Sequence, residues 1–558
     1  MRKLLRRLPL QFRVLYRQFL LRVVDLESLS MQADIPRLLG QFAGVLFMFS
    51  AIWGIGFMAA TDHPTMTREV FLSVAWRMEQ RFISTTMLIA GLIAVISWDA
   101  LFPDRRDIMV LSPLPVSPRI ILSAKVAASG AILGLAVLAL NCVSSVALCL
   151  VMGGIPHFIP TFAAYWFTLI AASVFIYGSV LAVQGVTALL LPRWLFLRLS
   201  AVLQLGAFGL FLGTYFFQPF LTTPAAMSAM ENHRLLNWLP SFWFFALFNQ
   251  LKGSLPTALD WLAWRAWIGL GVVVCAASAS LLLCYVRTMK KTVEEPDLAP
   301  GRGGWHWAPR FGSSLQTAIV LFSFRSLTRS KHHRVVFAFY LSLVFALALY
   351  CMKEALAAAA PRPLTSDFLM YSFWMMCLAV AGLRGVFSLP ISLGANWVLR
   401  MTQLSPSASY IAAARRSMLL FAVLPVWLCV ALLSICFRPS LESAAHLVVL
   451  ALVGSILADI GLIGTSKIPF ACSYLPGKSN VQYMFWGFLM IVVPLTVSFA
   501  KYEQNALHHP LQYLWLLGIL LAVAVGLWAF NRYRAQSAVL SFEEVSPETV
   551  TTLGLSGA

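Results

Sequence analysis

Charge is what this sequence has least of. Only 11% of its 558 residues are charged, and 60% are hydrophobic. A water-soluble domain carries roughly a quarter of its residues as charges, so that class is excluded. A mean hydropathy of +0.80 agrees, and the chain reads as an all-α, polytopic integral membrane protein. Acids are the scarcer sign, with 22 Asp and Glu against 41 Lys and Arg.

Signatures of chemistry are missing too. There is no H-E-x-x-H, no G-x-S-x-G and no paired acid cluster in or near the apolar windows. The nine cysteines stand singly in or beside apolar runs, with no C-x-x-C and no His at ligand spacing. They read as small buried hydrophobes, and no metal or cofactor is expected. "LPGKSN" holds Gly477, Lys478 and Ser479, but a phosphate loop needs a glycine where Cys472 stands. No ATP site and no enzyme activity are expected in this chain.

What is present is a set of about twelve apolar windows, each near the 20 residues a helix needs to cross a bilayer. They lie near 38–60, 82–98, 126–152, 162–190, 198–220, 262–286, 335–352, 366–386, 416–437, 443–465, 483–500 and 511–530. With these limits, about 31 of the 41 basic residues fall at the termini or in the even-numbered loops. The net charge of +19 is therefore topological and does not point to nucleic acid. Basic residues are retained on the cytoplasmic side, so both termini are expected there, in a plasma membrane (the inner membrane of a bacterium). Anionic lipid headgroups are the expected neighbours of that face.

The N-terminal "MRKLLRRLPLQFRVLYRQFLLRVV" is basic, yet Arg13, Arg17 and Arg22 recur through its apolar part and no small-residue cleavage site follows. Leu8, Phe12, Leu15, Tyr16, Phe19 and Val23 share one helical face while Arg6, Arg13 and Arg17 share another. The spacing predicts an interfacial helix over 9–26.

Six windows precede a basic stretch at 287–334 and six follow it, which predicts two parallel six-helix repeats. Each has an amphipathic approach segment, two crossings, a charged loop and four more crossings. The units are placed at 1–290 and 313–535, with a Gly- and Pro-rich linker at 291–312 and a cytoplasmic tail at 536–558. "PVSPRIILSAK" (115–125) lies opposite "LSPSASYIAAAR" (404–415), setting Lys125 against Arg415.

The most informative connection is "DRRDIMVLSPLPVSPRIILSAK" (104–125). Pro113, Pro115 and Pro118 stiffen it, and Asp104, Arg105, Arg106 and Asp107 offer both signs to a soluble surface. Ser117 stands where a cap would be, with Pro118 at the first helical position and Arg119 next. The outer stretch 221–261 contains "LNWLPSFWFFALFNQL" (236–251), too short to span and too aromatic for a free loop, which predicts a re-entrant or interfacial helix.

In this layout the chain resembles the permeases of type-2 ATP-binding-cassette (ABC-2 class) exporters, and "LSPLPVSPRIILSAK" is similar to the "LP-x-S…K" pattern that such bacterial permeases carry after their second crossing. The resemblance implies two six-helix units around a pathway, and separate nucleotide-binding ATPase subunits on the cytoplasmic face. It places Asp104, Arg105, Arg106, Asp107, Pro113, Pro115, Pro118, Arg119 and Lys125 against one ATPase subunit. Arg400, Arg415 and Arg416 would meet the other. The second half departs from the pattern, having "SPSAS" without the two leading prolines and only a short outer loop at 501–510.

Asp459, in "SILADIGLIG", stands as the only acid well inside an apolar window, and with Asn141 it is a candidate for the pathway. Asn141, Gln184 and Gln204 are also expected to bond between helices. A wall of Leu, Phe, Met and Trp points to an amphiphilic or lipid-like cargo. Two alternatives remain: a secondary transporter of the major-facilitator type, to whose second loop "PDRRD" is similar, and a membrane-embedded transferase on lipid-linked substrates. The first lacks the glycines expected around that Asp-Arg, and the second lacks an acid and base pair at either interface.

Overall fold

The computed structural model describes residues 10–24, 35–61, 67–98, 101, 111, 113–221, 237–294, 309–356, 364–389, 407–437, 439–463, 470 and 492–537. Every regular element among them is helical. Among the described residues ten helices are long and apolar enough to cross a membrane, so the protein is an all-α, multi-pass membrane protein. The chain divides into two compact units, with the described residues 10–294 in one and 309–537 in the other.

The first unit contains α1 (Leu10–Val24), α2 (Ile35–Thr61), α3 (Arg68–Ile96), α4 (Pro118–Gly153), α5 (Phe158–Leu190), α6 (Arg193–Leu221), α7 (Pro240–Lys252) and α8 (Asp260–Glu294). Small residues let these helices approach closely. On α2, Ser50 Oγ accepts from the backbone N–H groups of Val143 and Ser144 on α4, at 3.0 Å each. One turn on, a Cβ at Gly54 would stand 3.2 Å from the Cα of Ser144. On α5, a Cβ at Gly185 would stand 2.5 Å from that of Ser280 on α8. Without a hydrophobic drive between helices in lipid, such contacts and hydrogen bonds hold a bundle.

α3 begins fourteen residues before the apolar window at 82–98 that marks it in the sequence. The added turns contain Arg77, Glu79, Gln80 and Arg81, which depress local hydropathy. They remain helical because Glu79 and Gln80 are buried and find partners on neighbouring helices. The fifth window appears within α6 as the shorter apolar stretch Val202–Gln218.

The second unit contains α9 (Ser314–Arg329), α10 (Lys331–Leu356), α11 (Ser366–Phe387), α12 (407–437), α13 (Leu441–Gly461), α14 (Val493–His508) and α15 (Pro510–Ser537). α9 starts in a capping box, Ser313 with Gln316. α12 widens to a π turn over Leu419–Val423, where the Leu424 N–H reaches back to Leu419 O. Pro425 explains it, since a proline ring crowds the carbonyl four residues earlier and supplies no N–H. The first part of the eleventh window falls outside the described residues. Residues 501–508 are helical, where the sequence pattern predicts a short outer loop. Buried Glu503 ties that turn to its neighbours, and Pro510 starts the next helix.

Candidate functional site

Asp104, Arg105, Arg106, Asp107 and Arg400 lie outside the described residues. Of the other residues expected to couple in the first unit, Pro113, Pro115, Pro118 and Arg119 all face out on an exposed elbow. Leu114 N–H bonds Leu111 O and Val116 N–H bonds Leu114 O, so the chain turns tightly at 113–116. Ser117 occupies the cap position with extended geometry, but its hydroxyl makes no cap bond, and the first turn closes on its carbonyl instead.

The elbow is held from behind by α1. Leu15, Tyr16 and Phe19 pack on Ile121, Ala124 and Ala128 of α4. The apolar face expected to lie in lipid is therefore spent largely on protein. Lys125 is 3% exposed, and its ammonium sits 5.1 Å from the centroid of the Phe19 ring. Gln11 Nε2 reaches Pro115 O at 3.4 Å.

The second unit repeats this arrangement in its own terms. Ile319 and Val320 of α9 pack on Tyr410 and Ala413 of α12. The exposed Arg416 guanidinium bonds Phe311 O and, at 2.6 Å, Gln316 Oε1. Arg415 turns the other way, its Nε 2.7 Å from Asp459 Oδ1 and its Nη2 3.0 Å from Oδ2. Asp459 is wholly buried, and Asn531 Nδ2 donates to its carbonyl. Two residues assigned to different roles from sequence thus form one bidentate ion pair.

Asn141 stands apart, in the first unit. Its Nδ2 donates to Thr86 Oγ1 at 3.0 Å and to Val137 O at 3.0 Å, and its Oδ1 accepts from Tyr165 OH at 3.3 Å. The amide is a saturated node joining α3, α4 and α5. Gln184 donates to Trp98 O, and Gln204 to Val95 O at 3.4 Å, so both link helices.

Two wholly buried acids escape the sequence reading, and Asp459 is not alone. Glu79 on α3 accepts from Lys252 Nζ at 3.1 Å and Asn249 Nδ2 at 3.2 Å, both on α7. α7 is the aromatic segment expected to be a re-entrant or interfacial helix; it is 13 residues long and begins at Pro240. Phe242, Phe244, Phe245 and Phe248 are buried among α3, α5 and α8, while Trp238 just before it is exposed. A helix too short to span is thus pinned by an ion pair at its end.

Replacing Lys252 by Met should cost about 3 kcal/mol, since the wholly buried Glu79 keeps only Asn249 among its described partners. Glu79→Gln should cost less, because Lys252 keeps access to solvent and the amide still bonds Asn249. Thermal unfolding in detergent measures both, and equal effects would contradict this order.

The second pair is His446 on α13 with Glu503 on α14. His446 Nδ1 lies 2.8 Å from Glu503 Oε1, and its Nε2 lies 2.8 Å from Ser372 Oγ on α11. All three residues are fully buried. The edges of Phe368 and Phe373 wall the imidazole at 6.1 and 5.9 Å. Glu503 Oε2 has no hydrogen-bond partner among the described residues. Both acid and base pairs join residues far apart in the sequence, where linear spacing does not bring them together.

The described cysteines are all free, and no group of His, Cys, Asp or Glu among the described residues is arranged to hold a metal ion. No family model, curated protein or solved structure matches this chain. Its function therefore has to be argued from its own residues.

Proposed function

We propose that this chain is the membrane-spanning permease subunit of an ATP-driven exporter, with both six-helix units in one polypeptide and power from a separate ATPase. The observation that carries the reading is the paired construction of the two coupling ends. In each unit an amphipathic helix braces the head of the third crossing, through Leu15, Tyr16 and Phe19 on α4 and through Ile319 and Val320 on α12. A loop that only reversed direction would need no brace. A lever that passes on force does, because a flexible joint would absorb the displacement.

The first elbow leaves Pro113, Pro115, Pro118 and Arg119 exposed for an ATPase subunit, and Arg416 is exposed on the second. The apolar helix surfaces, with Ile52, Ile55, Leu432 and Ile435 exposed, suit an amphiphilic or lipid-like cargo. Affinity purification of the full chain from its own membranes tests the reading. A soluble protein with a complete phosphate loop should co-purify at two copies per chain, and its consistent absence would count against the exporter.

One observation favours a second reading, a hydrolase or transferase acting inside the membrane. Ser372, His446 and Glu503 stand in the order of an acyl-transfer triad. Against it, Ser372 Oγ also lies 2.6 Å from Leu369 O, and the serine sits mid-helix, where neighbouring N–H groups are spent on the helix itself. The exporter reading expects a fluorophosphonate probe to leave Ser372 unlabelled in native membranes. Labelling that disappears in Ser372→Ala would establish the rival.

A further inference from the structure

Arg81 lies well inside the membrane-spanning helix α3, yet no carboxylate among the described residues pairs with it. The nearest acid along the helix, Glu79, is taken by Lys252 and Asn249. Two aromatic rings hold the guanidinium instead, Trp53 of α2 at 5.1 Å and Tyr215 of α6 at 5.9 Å. The Arg81 Nε–H is buried and has no acceptor among the described residues.

The rings are themselves fixed. Tyr215 OH is 3.1 Å from Thr85 Oγ1, which donates to Arg81 O at 2.8 Å. Trp53 meets Phe82 edge-on at 6.2 Å. Arg81, Trp53 and Tyr215 all remain partly exposed. Exposed apolar side chains continue on both flanking helices, Ile52 and Ile55 on α2 and Leu210 on α6.

Ring faces offset only part of the cost of a cation in an apolar span, and they use none of its N–H donors. A guanidinium held over ring faces keeps its N–H donors for another partner, and its planar fork matches two oxygens of one oxyanion. Arg77, four residues earlier on the same helix face, adds positive charge nearby. No described residue supplies an anion here, and a membrane-spanning helix is bathed in amphiphiles. We infer that Arg81, Trp53 and Tyr215 form a binding site for the oxyanion headgroup, phosphate or carboxylate, of an acyl-chain amphiphile, whose tail lies along Ile52, Ile55 and Leu210. In α11, the second helix to cross in the other unit, no basic residue precedes Arg384, so the site belongs to the first unit.

The inference is independent of the exporter reading, because its test measures binding alone. Full-length protein in uncharged maltoside micelles is titrated with phosphatidylglycerol, palmitate, phosphatidylcholine and inorganic phosphate, followed by native mass spectrometry and tryptophan fluorescence. Phosphatidylglycerol and palmitate should bind more tightly than phosphatidylcholine, and inorganic phosphate should not bind at matched concentration. Arg81→Gln should weaken phosphatidylglycerol about 10-fold, and Arg81→Lys about threefold, since it keeps the charge without the fork. Trp53→Leu, which keeps the arginine but loses its ring, should also weaken it about threefold. Equal binding by all four proteins overturns the site. Inorganic phosphate binding as well as the lipid overturns the amphiphile.

Discussion

Arg415→Ala should destabilise the protein by about 3–5 kcal/mol, more than Asp459→Ala. The asymmetry follows from burial. Asp459 is wholly enclosed, whereas the Arg415 side chain is 27% exposed. Removing the arginine leaves a carboxylate with neither water nor a counter-charge, while removing the aspartate leaves a guanidinium whose long stem can turn toward solvent. Replacing both by Met and Leu should recover most of the loss, since desolvating the pair consumes much of what their attraction returns. Unfolding curves for the three variants in one detergent measure this directly. An Asp459 variant worse than Arg415→Ala would mean that the carboxylate is not the group at risk.

His446→Ala should cost a comparable 3–5 kcal/mol. The imidazole is the only hydrogen-bond partner of the Glu503 carboxylate among the described residues, because Oε2 has none. Alanine also leaves a hole between Phe368 and Phe373. Glu503→Gln should be much milder, as the amide oxygen can take the place of Oε1 without a buried charge. Ser372→Ala should cost about 1 kcal/mol, the value of one buried hydrogen bond. A loss for Ser372→Ala as large as that for His446→Ala would show that the hydroxyl, and not the buried charge, dominates the cluster.

The outline of the fold could be read from periodicity. The face shared by Leu15, Tyr16 and Phe19 is the buried face of α1, and the aromatic density of 236–251 marks a helix too short to span. The partner of that α1 face could not be read, because an apolar stripe suits lipid and protein alike. Glu79 was hidden by its own neighbours, since Arg77 and Arg81 lower the local hydropathy and push the apparent helix start to 82. Glu503 sits in "AKYEQNALHHP", polar enough to pass for a loop. Burial of such acids depends on a partner distant in sequence, Lys252 for Glu79 and His446 for Glu503. Linear spacing does not carry that information.

The same limit explains Arg415. Pattern alone set it opposite Lys125 as a coupling residue, yet its guanidinium is committed to Asp459. Lys125 lies against the Phe19 ring. Both are held from within the protein, whereas Arg119 and Arg416 are exposed. In the proposed lever, cations with partners inside the protein would stiffen the elbow, and exposed ones would meet the ATPase.

The direct measurement is ATP hydrolysis by the co-purified ATPase, reconstituted with the full chain in lipid vesicles. Hydrolysis should rise when the wild-type chain is present and should fall to the level of the ATPase alone with Arg105→Glu and Arg106→Glu combined, while membrane insertion is unchanged. Full stimulation by that double variant, or cargo movement by the purified chain on an ion gradient without any ATPase, would contradict the account.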